Sequence, residues 1–104
     1  MDAEQLSSRL TAIASPQRMR IIAAVAAETT HVSELARRVG MSRALLYMHL
    51  QRLEEAGFVS GRFDLSDDGK ALKLFEIVPF AIEIDLATIV AAVQQETPTK
   101  EREN

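Results

Sequence analysis

Apolar residues recur through the first half of the chain at helical spacing. Leu6, Leu10 and Ile13 stand four and three residues apart and share one stripe. Ser15-Pro16 closes that segment and opens the next, since serine is a favoured N-cap and proline is accepted at the first helical position. From Pro16 to Ala27, Met19, Ile22, Ala23 and Ala26 make an apolar face that Ile21 and Val25 widen until only a narrow strip is polar, which predicts the most buried helix of the domain. Glu28-Thr29-Thr30-His31 reads as a connection. A third stripe, Val32, Leu35, Ala36 and Val39, ends at Gly40, a residue suited to the left-handed turn that stops a helix. Ser42 then caps a fourth helix over 43–56, with Leu46, Leu50 and Leu53 on its buried side and Gly57 at its end.

Beyond Gly57 the period changes from helical to alternating. Phe58-Val59 opens an extended run, Ser66-Asp67-Asp68-Gly69 is turn chemistry, and Leu72, Leu74 and residues 75–78 return as β-formers, so the segment is a hairpin. Phe80, Ile82 and Ile84 alternate with Ala81, Glu83 and Asp85, which predicts a further extended segment over 80–84 after the interruption at Pro79. Asp85 caps a last helix carrying Leu86, Ile89, Val90 and Val93 on one stripe. The expected fold class is α+β and mainly helical: a winged helix-turn-helix with a β-hairpin wing and a terminal helix. Residues 1–96 make a single domain, and the polar stretch 97–104 is expected to be a flexible tail.

Two short helices joined by a tight turn at Gly40-Met41, each apolar on one side only, form the arrangement that projects a second helix into the major groove. With Leu46 at the centre of the core face, a step of about 100° per residue puts Ala44, Met48, Gln51 and Glu55 nearly opposite and Tyr47 on the shoulder. The entry end of that outer face lacks acidic residues, which would repel DNA; Glu54 and Glu55 lie in the last turn.

Ser15-Pro16-Gln17-Arg18-Met19-Arg20-Ile21-Ile22, Val32-Ser33-Glu34-Leu35-Ala36, Gly40-Met41-Ser42, His49-Leu50, Leu53, Glu55-Ala56-Gly57-Phe58-Val59 and Gly69-Lys70 follow one another in an order and spacing that resembles the ArsR-type winged-helix transcriptional regulators, over residues 6–78. The stretch from Phe80 to Asp85 is similar to a subgroup in which the wing strand continues into an extended segment before the last helix. The resemblance implies a cytoplasmic, homodimeric, DNA-binding repressor or activator whose second motif helix reads the operator while the hairpin touches the backbone. It also marks a departure. Where the family's metal sensors carry a Glu-Leu-Cys-x-Cys pattern, this chain has Glu34-Leu35-Ala36-Arg37-Arg38, and residues 85–96 contain no histidine. No metal and no cofactor are expected, and a small-molecule effector is unidentified.

Composition narrows the chemistry. The 104 residues are 47% hydrophobic and 26% charged, ordinary for one soluble domain. Cysteine is absent, which excludes disulfides, thiolate metal sites and cysteine nucleophiles. The start, Met1-Asp2-Ala3-Glu4, has no basic region ahead of an apolar core, and the longest apolar run, 21–27, is far short of the roughly 18 residues of a membrane span, so no membrane partner is expected. The net charge of −3 is unevenly placed: residues 18–62 carry +3 and the remainder −6. A basic middle suits a polyanionic partner. The glycines Gly40, Gly57, Gly61 and Gly69 form no phosphate loop, and no Ser/His/Asp spacing suggests an enzyme.

The candidate base-edge contacts are Ser42, Arg43, Ala44, Tyr47 and Met48. Arg43 can donate two parallel hydrogen bonds to guanine O6 and N7, against the alternative of a solvated surface arginine. Tyr47 either reaches sugar, phosphate or base, or forms an amphipathic rim of the core. Candidate phosphate contacts are Arg37, Arg38, Gln51, Arg62, Lys70 and Lys73, although Asp64, Asp67 and Asp68 make the hairpin tip acidic. His49, beside the leucine stripe, reads as a packing residue, and His31 as a loop residue where a serine or threonine would have completed a capping box with Glu34. Leu6, Leu10 and Ile13 at one end, with Leu86, Ile89, Val90 and Val93 at the other, are the candidate dimer interface, because a domain this small leaves terminal apolar faces open. The expected function is a sequence-specific, homodimeric regulator of double-stranded DNA. The alternatives are a winged-helix protein-interaction module that does not bind DNA and a low-specificity architectural DNA binder.

Overall fold

The computed structural model describes residues 1–96; the predicted tail at 97–104 lies outside the described residues. The order is α1 (Ala3–Ile13), α2 (Pro16–Ala27), β1 (Thr30–His31), α3 (Val32–Val39), α4 (Arg43–Glu55), β2 (Val59–Leu65), β3 (Ala71–Ile77) and α5 (Leu86–Gln94). The strands form one antiparallel sheet in the order β1-β3-β2. Each predicted cap is in place: Ser15 Oγ accepts from Arg18 N–H at 3.3 Å, and Asp85 Oδ1 accepts from both Thr88 N–H and its hydroxyl at 2.7 Å. An additional capping box at Asp2 and Gln5 starts α1.

The core gathers Ile21 and Val25 of α2, Val32, Leu35 and Ala36 of α3, Leu46, Leu50 and Leu53 of α4, and Phe58, Val59 and Phe75 from the sheet side. This makes α4, not α2, the most deeply seated helix. The predicted inner face of α2 is rotated: Met19, Ala23 and Ala26 are exposed, and the packed stripe is Arg18, Ile21, Ile22 and Val25. The reason is a polar group that an apolar tally ignores. Arg18 lies inward because its guanidinium donates to His49 Nδ1 at 3.1 Å and to the carbonyls of Thr11 and Ala12 at 3.3 Å, joining α1, α2 and α4.

Two connections differ from expectation. The segment before α3 contains β1, with Thr30 opposite Phe75 and His31 opposite Leu74, so His31 is a strand residue as well as the N-cap of α3. A two-residue strand has no local signature; its partner lies more than forty positions away. Residues 80–84, predicted to be extended strand, form no ladder. The last rung is Val78 N–H to the Phe58 carbonyl at 3.0 Å, and Pro79 then lacks a donor. The loop is held by side chains instead: Phe80 meets Phe58 edge-on with ring centroids 4.5 Å apart, and Ile82 packs on the core.

His49 is buried, and burial, together with the nearby Arg18 and Arg52 guanidiniums, holds its pKa below the ordinary 6.5. Its folded form resists a proton that the unfolded chain accepts, so the imidazole destabilises the fold as pH falls below 6.5 and has no such effect above it. Urea unfolding between pH 7.5 and 5 should show stability declining on acidification, ahead of any carboxylate titration. His49→Gln should flatten that decline; an unchanged slope would place its origin elsewhere.

Candidate nucleic-acid interface

The turn that aims α4 is set by Gly40, whose φ of 69° and ψ of 40° lie in the left-handed region where a side chain is strained. That conformation returns Met41 N–H to the Ala36 carbonyl at 3.1 Å and closes α3. Two residues on, Ser42 Oγ accepts from Leu45 N–H at 3.1 Å and starts α4. With Leu46, Leu50 and Leu53 fully buried, Arg43, Ala44, Tyr47, Met48 and Gln51 all point outward. Four of the five candidate base-edge residues, Arg43, Ala44, Tyr47 and Met48, therefore share the exposed entry end of α4. Ser42 is also exposed, but its hydroxyl oxygen is engaged in the cap. Arg43 has no hydrogen-bond or ion-pair partner among the described residues.

The candidate phosphate contacts are disposed differently. Arg37 grips Glu34 at 2.6 Å, and Arg38 bridges Glu34 at 3.2 Å and Glu28 at 3.0 Å. The Arg37 hydrogen bonds lead in holding the Glu34 carboxyl below its usual range, while Glu28 and then Glu34 hold Arg38 above its own. On the wing, Arg62 pairs with Glu76 at 2.9 Å, and Lys70 stands 3.9 Å from Asp68. Gln51 donates to Glu55 at 3.2 Å. Lys73 has no carboxylate partner among the described residues; its ammonium lies over the Phe63 ring, 4.8 Å from the centroid. Glu34 lies three and four residues before Arg37 and Arg38 on α3, a spacing that could have paired them, whereas Glu28 and Glu76 meet their cations only through the fold.

Two further residues belong to this surface. Glu54 Oε2 accepts from Gly61 N–H at 2.9 Å, tying the end of α4 to β2. Phe63 shares a sheet face with Gly61, Leu65, Lys73 and Phe75, as the pairs Gly61 with Phe75 and Phe63 with Lys73 dictate. Strand alternation from Val59 could have placed Phe63; nothing local could have placed Glu54.

At the other side of the molecule, the groove between α1 and α5 is lined by Leu6, Leu10, Ile89 and Ala92. Leu6 is buried within the chain, Leu10 and Ile13 are half-buried, and Ile13 packs on the core. The side of α5 turned inward is the small residue Ala92, whereas Leu86, Ile89, Val90 and Val93 are 77%, 49%, 46% and 52% exposed. Among the described residues no three His, Cys, Asp or Glu side chains are grouped to hold a metal ion, and no helix is long and apolar enough to cross a membrane.

The sequence profile described as a helix-turn-helix domain matches residues 13–62, from the end of α1 into β2. Nodulation protein NolR of Rhizobium meliloti is 38% identical over 63 residues, covering 61% of this chain and 52% of that protein, so the match spans about half of NolR's length. The crystal structure of NolR from Sinorhizobium fredii superposes with a TM-score of 0.64 at 27% identity, over 89% of this chain and 84% of that one. The chain resembles the winged helix-turn-helix regulators, in sequence over the motif and in fold along most of its length. A further member of this winged-helix fold, from Mycobacterium bovis, has a TM-score of 0.65 at 19% identity over 88% of this chain and 73% of its own. It is described as a homodimeric winged helix-turn-helix DNA-binding domain and a possible ArsR-family regulator. In winged-helix terms, α3 and α4 are the motif, β2 and β3 the wing, and α1 and α5 the flanking helices.

The Ser42 cap sets the start of α4 and so the placement of Arg43. Ser42→Ala should cost about 0.5–2 kcal/mol of folding stability in urea titration. A loss of a few tenths at most would mean that packing alone positions this helix.

Proposed function

We propose that the chain is a sequence-specific, homodimeric DNA-binding regulator, with α4 in the major groove and Arg43 reading base edges. One observation supports this above the others: an uncompensated arginine stands at the capped start of a helix whose opposite side is locked in the core. Ser42, Ala44, Tyr47 and Met48 complete the surface proposed to face bases, with Arg37, Arg38, Gln51, Arg62, Lys70 and Lys73 around it as the pool of backbone contacts. The structural relatives support the same reading by their fold.

Dimerisation is the second part of the proposal. The exposed apolar face of α5, beside the groove holding Leu10, is the surface that a second copy would cover, in keeping with the homodimer described for the Mycobacterium bovis domain. A double variant, Leu10→Glu with Val90→Glu, should shift the sedimentation mass toward monomer. Wild-type protein that is monomeric at tens of micromolar would refute it.

Acidic net charge and the pairing of Arg37, Arg38, Arg62 and Lys70 with carboxylates favour a rival, a winged helix that contacts protein and not DNA. Selection from a random duplex library, followed by titration of Arg43→Ala, separates the two. On the preferred site the substitution should cost about 1–3 kcal/mol, with a much smaller loss on scrambled DNA. Equal losses on both would make Arg43 a backbone contact. Absence of duplex binding by the wild type favours the protein-contact module.

A further inference from the structure

Three wing cations project from different parts of the hairpin. Register puts Arg62 and its partner Glu76 on one sheet face and Lys73 on the other, while Lys70 follows the turn closed by Gly69 N–H on the Ser66 carbonyl. The Lys73 face is the continuation of the core face beyond the body of the domain. There it meets α4 across an open cleft of about 320 Å³ lined by Tyr47, Gln51, Glu54, Phe63, Lys73 and Phe75.

This cleft is shaped around the lysine. A Cβ on Gly61 would stand 2.8 Å from Lys73 Cε, 3.0 Å from its Nζ and 2.9 Å from the edge of Phe75, so the missing side chain is the space in which Lys73 lies. Its ammonium is then held over Phe63 at 4.8 Å and Phe75 at 5.4 Å. The Glu54–Gly61 hydrogen bond fixes the spacing of the two walls. Phe63 remains 70% exposed although it belongs to an inner face, so its ring stays open around the Lys73 ammonium.

We propose that the cleft between α4 and the wing receives one sugar-phosphate strand of the duplex, with Lys73 as the wing's phosphate ligand and Arg62 and Lys70 contributing little. This rests on the DNA-binding reading above. A helix lying in the major groove must have a backbone strand passing beside it, and Tyr47 and Gln51 are the outward α4 residues that line the cleft. They add a hydroxyl and an amide, the latter donating to Glu55, to the cleft lining beside Lys73, and the Phe63 ring offers an apolar surface to deoxyribose. Glu54 is the one acid lining the cleft, and its carboxylate is tied to a backbone N–H. Arg62 stands on the opposite face against Glu76, and Lys70 stands beside Asp68, so each would have to leave an acid before meeting a phosphate.

Non-specific binding is sufficient for the test. A mixed-sequence 20-base-pair duplex is titrated between 50 and 200 mM salt with wild type, Lys73→Met, Lys73→Arg, Gly61→Ala and Arg62→Gln, each checked by circular dichroism. Loss of one phosphate contact lowers the salt slope by about 0.9, so Lys73→Met should lose about 3-fold less affinity per bound subunit over this range than the wild type. Lys73→Arg should restore the slope, Gly61→Ala should reproduce the Met variant by displacing Lys73, and Arg62→Gln should match wild type. A full slope for Lys73→Met, or a reduced one for Arg62→Gln, overturns the assignment while leaving DNA binding intact. A wild type that binds no duplex overturns both.

Discussion

The packing of Leu46, Leu50 and Leu53 is the constraint from which the rest of the surface follows. All three are fully buried, and each such leucine stabilises the fold by about 1.5–3 kcal/mol. A rigid helix with one side held this firmly has no rotational freedom, so Arg43, Ala44, Tyr47 and Met48 point outward as a consequence of core packing. The same helix aims the wing. Gly57, with φ at 85°, lets Phe58 N–H return to the Leu53 carbonyl at 2.9 Å and drops Phe58 into the core; the next residue begins β2. The exposed face of α4 and the wing are therefore two outputs of one packing arrangement.

What was legible in the chain was whatever leaves a local mark. The capped starts at Ser15, Ser42 and Asp85, the left-handed glycine after α3 and the alternating hairpin all appear where residue type and spacing place them. Three features were hidden for physical reasons. The orientation of α2 depends on Arg18 reaching His49, a contact between residues 31 positions apart that overrides a nearly uniform apolar surface. β1 exists only because β3 offers it an edge. Pro79 and the end of β2 remove the ladder that the alternation of 80–84 anticipates, leaving Phe80 and Ile82 to hold the segment through side chains. In the candidate interface the outward set on α4 was legible from helical periodicity, as were the Glu34 pairs with Arg37 and Arg38 three and four residues on, whereas Glu28 on Arg38 and Glu76 on Arg62 depended on tertiary geometry.

On the proposed DNA-binding reading, those pairs reconcile an acidic protein with a polyanionic partner. An exposed cation–carboxylate pair is worth about 0–1 kcal/mol in water, so exchanging Glu34 for a phosphate on Arg37 costs little. The freed carboxylate, however, stays near the strand and repels it. On the proposed reading, paired cations serve as weak, interchangeable contacts, while base discrimination falls on Arg43 and the firm backbone contact on Lys73, the two groups without an internal acid partner.

Such a division bears on oligomeric state. With only two unopposed cations among the proposed contacts of each copy, one protomer has a shallow electrostatic hold on DNA. In the proposed dimer, joining two copies through the α1 and α5 faces would make the second engagement intramolecular, and affinity would rise through effective concentration without any new contact. A two-fold axis through that interface also fixes the separation of the two α4 helices, so half-site spacing becomes a property of the terminal helices and not of the motif. The large residues on the outer face of α5 and the small Ala92 on its inner face fit this division of labour. The inner face needs only to seat α5 on α1, while Leu86, Ile89, Val90 and Val93 keep the apolar area from which a partner-stabilised arrangement can be built.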